Sequence, residues 1–221
     1  MRVGESKSTD FTRYLIWIVF AVGTLALKNI VATEKGLNNT LAAVFFIVGL
    51  FLTFLMVRRY LRERRSFTDN PEKFMDSLSA NFGFVALMII LVCAMRIAVS
   101  YLQVTGKLPQ FVNDDVASSD QKVFFFNLVA NVLIIAVQQQ MVQTGFFFNY
   151  FFRSSTSANA ILGIIVSGLI AGAITLPGSV IQFFMNTALG WCMALTYLYT
   201  KDEKMALLVA VISAVVGTIL I

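Results

Sequence analysis

The stretch FFFNLVANVLIIAVQQQMVQTGFFFNYFF, residues 124–152, carries no charged side chain along its whole length. A helix crosses a bilayer with about 20 mostly apolar residues, within a working range of about 17–25. Working outward with that window gives seven candidate spans: 11–27, 40–57, 81–102, 122–144, 157–176, 178–199 and 204–221. Between them lie charged or turn-forming stretches such as KNIVATEKGLNN and RRYLRERRSFTDNPEK. Backbone groups in lipid must be satisfied internally, so seven such segments imply an all-α bundle. A β-barrel would show short alternating segments instead of continuous runs.

Composition agrees. Of the 221 residues, 58% are hydrophobic and 13% charged, against about 45–50% and about 25% for soluble domains. This excludes an ordinary soluble protein and a disordered one. The chain has no His. Imidazole acid/base catalysis, a Ser-His-Asp triad and His-ligated metal are therefore absent from its repertoire. The expected location is a cell membrane, multi-pass, with the lipid bilayer as constant partner. The net charge of +5 requires no nucleic-acid partner.

Lys and Arg orient the spans. Arg2, Lys7, Arg13, Arg58, Arg59, Arg62, Arg64, Arg65, Lys73, Arg153, Lys201 and Lys204 fall on one side; Lys28, Lys35, Lys107 and Lys122 fall on the other. This predicts a cytoplasmic N-terminus and, with seven spans, a C-terminus outside. The split at Leu176-Pro177-Gly178 is decisive, because fusing the helices around it would move the C-terminus across. The first span has the charged start and apolar core of a signal peptide but no clean small-x-small cleavage site, so it reads as uncleaved. The run Arg58 to Arg65 suits anionic headgroups as a topology determinant; a docking site is the alternative. Cys93 and Cys192 lie in apolar helices and read as spectator thiols rather than a disulfide.

Polar groups inside the spans are costly and informative. All twelve acids fall outside the seven windows. Apart from Arg13, Lys122 and Lys204 at span ends, Arg96 is the one basic residue inside a span, either snorkelling toward the interface or donating into the bundle. On a straight helical wheel Asn127, Asn131, Gln138 and Asn149 fall within about 40° of one another. Gln139, Gln140 and Gln143 point to other sides. The stripe is either polar glue between helices or the lining of a cavity or interface. In the next span Gly163, Ser167, Ala171 and Thr175 recur at spacing four, with Gly168 and Gly172 beside them. Such a ridge serves close packing within the chain or, alternatively, a homodimer.

The motif order resembles the CAAX-protease and bacteriocin-processing family of intramembrane proteins, also called the Abi family. The resemblance covers roughly residues 120–221. In that family a Glu-Glu-x-x-x-Arg-Gly helix, a Phe-x-x-x-His helix often followed by Leu-Pro, a Gly-Trp-x-Tyr-like helix and a His-x-x-x-Asn helix build a metal site. Here Gln139 and Gln140 stand for the two Glu, Thr144 for the Arg, and Gly145 is kept. Ala171 and Thr175 replace the Phe and His, ahead of Leu176-Pro177-Gly178. Leu189-Gly190-Trp191 through Tyr197-Leu198-Tyr199-Thr200-Lys201-Asp202 resembles the third helix and its polar turn. Ser213 and Gly217 take the places of the last His and Asn. The implied organisation is one integral membrane domain, 1–221: N-terminal helices 1–120 with the basic loop 58–76, then a family-like core 121–221.

The departures imply a non-catalytic relative without catalytic residue, metal or cofactor. Gln is nearly isosteric with Glu yet neutral, so it is no general base. Three functional classes follow. One is an interaction protein that binds and sets another membrane protein (a sensor kinase, a cell-wall enzyme or a secretion component), with bacteriocin self-immunity as the version the resemblance implies. The second is an enzyme with Cys192 or Ser213 as nucleophile, although no His or intramembrane acid is there to activate either. The third is a transporter of small molecules or lipids. The family and the small loops point to a bacterial cytoplasmic membrane.

Overall fold

The computed structural model describes residues 7–33, 36–63, 73–109, 111, 121–152 and 157–220. The described residues form seven helices: α1 (Lys7–Val31), α2 (Asn39–Glu63), α3 (Phe74–Val104), α4 (Gln121–Phe151), α5 (Ser157–Ile174), α6 (Val180–Thr200) and α7 (Glu203–Ile219). A two-residue antiparallel pairing, β1 (Ala32–Thr33) with β2 (Gly36–Leu37), joins α1 to α2. The expected all-α membrane bundle is what the chain forms. By length and composition α1 to α5 can each cross a bilayer. α6 interleaves Gln182, Asn186, Thr187 and Thr196 with apolar residues, and α7 has 17 residues.

Local signals place the helix ends. Asn38 caps α2, its Oδ1 accepting from the N–H groups of Thr40 and Leu41 at 3.1 Å each. Ser179 caps α6 by accepting from the N–H of Gln182 at 3.1 Å, while Gln182 Oε1 accepts from Gly178 N–H at 2.7 Å. Lys201 ends α6 in the left-handed region, φ 54°. Asp202 then caps α7 through the N–H of Lys204.

The chain breaks between α5 and α6. Leu176 has φ 51°; Pro177 disfavours the right-handed α conformation in the residue before it. The two helices then run antiparallel in close contact. Gly168 faces Trp191 and Thr187, Gly172 faces Thr187 and Phe183, and Gly190 faces Ala171. Gly163 rests on Phe148 of α4. Thus the small-residue ridge is occupied by helices of this chain.

Successive helices alternate in direction. At one end Glu63, closing α2, pairs with Arg13 of α1 at 3.9 Å and with Arg59, and accepts from Tyr150 near the end of α4 at 2.6 Å. At the other end Ser100 of α3 donates to Leu220 O just past α7 at 3.0 Å, and Asn131 near the start of α4 donates to Thr218 of α7 at 2.9 Å. The basic side chains Arg13, Arg58, Arg59 and Arg62 therefore share an end with the α6–α7 turn. Arg2, Lys35, Arg64, Arg65, Arg153 and the loop 64–72 lie outside the described residues.

α4 packs against α1, α2, α5, α6 and α7 and is the most buried of the five long apolar helices. Outward faces of α2 and α3 are apolar and exposed, as at Ile47, Phe51, Phe54, Ile90 and Ile97; lipid is their matching solvent. Cys93 is half-buried and Cys192 buried, both free.

Gly168→Val would drive methyl groups into Trp191 and Thr187, and overpacking of this kind costs about 1–3 kcal/mol. Gly23→Ala meets open space. Thermal unfolding in detergent should show a clear drop for the first and little change for the second.

Candidate functional site

Two segments of α4 are wound as π-helix, Asn131–Ile135 and Met141–Phe146. A π turn advances less per residue than an α turn, so a straight wheel loses phase along α4. The consequence is visible in three amides. Gln138 donates to Gly49 O (3.2 Å) and Thr53 Oγ1 (3.0 Å) of α2. Gln140 reaches Glu203 of α7 at 3.2 Å. Gln143 reaches Met193 Sδ of α6 at 3.0 Å, and its carbonyl accepts from Ser167 of α5 at 2.6 Å.

Of the expected polar stripe, Asn131 bonds α7, whereas Gln138 and Asn149 bond α2; Asn149 donates to Glu63 O at 3.0 Å. Asn127 is buried and shares no hydrogen bond with them. The stripe thus divides between two neighbouring helices rather than lining one face.

The centre of the site is Gln140, Gln143, Thr144 and Glu203, all at most 5% exposed. Gln143 Nε2 donates to Gln140 Oε1 at 2.6 Å. Gln140 Nε2 donates to Thr144 Oγ1 at 2.6 Å. Thr144 has one O–H proton, shared between Gln140 O at 2.8 Å and Glu203 Oε1 at 2.6 Å. Glu203 Oε2 is buried without a hydrogen-bond partner. Among the described residues no Lys or Arg pairs with this carboxyl. Gly145 lets Tyr60 and Glu203 close over the helix: a Cβ there would lie 3.2 Å from Tyr60 Cε2 and 3.6 Å from Glu203 Cδ.

Glu203 corrects the expectation that every acid lies outside the apolar helices. Asp10, Glu63 and Asp76 also belong to α1, α2 and α3. The hydrogen-bonded helices run past the apolar windows, so acids near their ends fall outside the windows and inside the helices. The signal for Glu203 was present: Asp202 as N-cap followed by an acid in the first turn is a helix-start pattern.

The remaining family-motif positions lie apart from this centre. Gln139 is half-buried and shares no hydrogen bond with the cluster. Thr175 sits past the end of α5, accepting from Asn186 Nδ2 at 2.9 Å and donating to Gly172 O. Ser213 lies ten residues beyond Glu203, about 15 Å along α7, and accepts from Arg96 Nε at 3.3 Å. Gly217 lies against the same guanidinium. Arg96 therefore turns into the bundle.

A zinc site draws on Cys, His, Asp or Glu. The centre supplies one carboxyl, one of whose oxygens is engaged by Thr144 and Gln140, and the chain contains no His. These residues do not fit the metal that the family resemblance implies.

An alternating helical bundle with apolar outer faces and a buried polar centre defines a polytopic helical membrane protein, with its site in the last four helices. Residues 121–216 match the model of the Rce1-like family, described as Type II CAAX prenyl endopeptidase Rce1-like. No curated protein and no solved structure matches the chain.

Gln140→Glu would set a second carboxyl beside Glu203 Oε1. Two buried carboxyls in contact disfavour each other's charged forms, and the expected cost is about 1–3 kcal/mol. Adding Glu203→Gln should restore most of the loss. Thermal melts of both single variants and the double variant form the cycle that measures the coupling.

Proposed function

We propose that this protein is a non-catalytic member of the family that binds another membrane protein and sets its activity, location or stability. One observation carries the reading. The side chains at the Gln140 and Thr144 motif positions are hydrogen-bonded to each other and to Glu203, and buried. An amide and a hydroxyl so engaged offer no general base near neutral pH. The chain forms a helical bundle, and its exposed apolar helix faces provide surface for a second membrane protein. A sensor kinase, a cell-wall enzyme or a secretion component suits that description. The end carrying Arg13, Arg58, Arg59 and Arg62 faces the cytoplasm under the positive-inside rule.

Two measurements test the two parts of this proposal. Purified protein incubated with a prenylated CAAX peptide should show no cleavage above a Gln139→Ala/Gln140→Ala variant; cleavage above it sinks the non-catalytic part. Mild cross-linking in native membranes, followed by affinity purification and mass spectrometry with an untagged control, should recover one membrane protein near equal stoichiometry. Recovery of the chain alone removes the partner from the proposal.

A further inference from the structure

α2 carries no charged side chain from Asn39 to Val57. That stretch rises about 28 Å, close to the thickness of a bilayer's hydrocarbon core. Arg58 is therefore the first charge beyond the apolar run, and Arg62 lies about 6 Å further along the helix.

The two arginines continue the outward face of α2. Ile47, Phe51, Phe54 and Leu61 are each more than half exposed, and Arg58 and Arg62 are exposed with them. On the helical wheel all six fall within an arc of about 100°. Arg59 leaves this face and pairs with Glu63, which also meets Arg13 of α1. Successive arginines are thus used differently. Arg59 ties helices together, whereas the side chains of Arg58 and Arg62 make no ion pair or hydrogen bond among the described residues.

Two like charges one turn apart on a helix repel each other. Acyl chains match the apolar stripe, and at the edge of the hydrocarbon core the available anion is a lipid phosphate. We propose that Arg58 and Arg62 form a binding site for one anionic phospholipid, with its phosphate between the two guanidiniums and its acyl chains along Phe54, Phe51 and Ile47. A guanidinium presents N–H groups in a fixed fork that matches two phosphate oxygens. A zwitterionic headgroup brings its own ammonium to the two arginines and so loses part of this attraction; a headgroup with net negative charge keeps all of it. The site is at the surface of α2 and does not depend on the reading of the Gln140–Glu203 centre.

The test uses the full chain in a neutral detergent. Dioleoyl phosphatidylglycerol and dioleoyl phosphatidylcholine are added in equal amounts, and the lipids retained are counted by native mass spectrometry. Wild type should retain one phosphatidylglycerol at least tenfold in preference to phosphatidylcholine. Arg58→Gln and Arg62→Gln should each lower that preference about fivefold, and the double variant should abolish it. Lys201→Gln removes an exposed charge at the same end of the bundle and should leave the preference unchanged. Inorganic phosphate in excess should not displace the lipid. The proposal is overturned by equal retention of the two lipids in wild type, or by an intact preference in a folded double variant. An equal loss in Lys201→Gln overturns it in favour of diffuse charge, and displacement by phosphate in favour of a free oxyanion. If the double variant does not fold, an unchanged preference in both single variants overturns it.

Discussion

Gln138, Gln140 and Gln143 occupy less than two turns of α4, and their side chains go to three different helices. In lipid an unpaired amide has nothing to bond, so a segment this polar can exist only with protein around it. That constraint makes α4 the axis of the bundle, with α1, α2, α5, α6 and α7 against it. The π segments serve the same end. A uniform α-helix would turn some of these amides outward, and the wider turns at Asn131–Ile135 and Met141–Phe146 allow each a partner.

Around that axis the packing is of two kinds. Where α4 meets α1 and α2 the contacts are aromatic. Trp17 stacks on Phe146 with ring centroids 5.0 Å apart, and Tyr60 meets the same ring edge-on at 6.1 Å. Where α5 meets α6 the contacts are backbone on backbone, through Gly168, Gly172 and Gly190. Aromatic packing spaces helices apart and glycine ridges bring them together. The ring of Phe148 over Gly163 joins the two regimes.

Charge is distributed with the same economy. At one end Glu63 gathers Arg13, Arg59 and Tyr150 from three helices. Glu203 is the exception, with one oxygen engaged by neutral donors and the other unpartnered. Burying a carboxyl without a cation is unfavourable, and among the described residues only the neutral donors Gln140 and Thr144 offset that cost. These neutral donors also separate this centre from the second polar group on α7, where Arg96 meets Ser213 and Gly217.

Composition and apolar run length determined the fold class, because each span must hide its own backbone from lipid and so announces itself locally. The small residues of α5 were legible for a related reason: a ridge at spacing four has a meaning wherever the helix lands. The likeness that residues 121–216 bear to the Rce1-like family was legible too, in motif order and hydrophobic context around Gly145 and Leu176-Pro177-Gly178. What the sequence did not reveal was which polar groups meet. The wheel placed Asn131, Gln138 and Asn149 together, and the structure gives them to α7 and α2, because two π segments shift the helical phase without a clear mark in the sequence. Glu203 falls just outside the 204–221 window and is buried against a residue 63 positions earlier. The sequence left Arg96 to snorkel or to donate inward, and the approach of Ser213, 117 residues away, shows it donating inward. Local periodicity sets which segments are helices; contacts across such separations arise only when the helices pack.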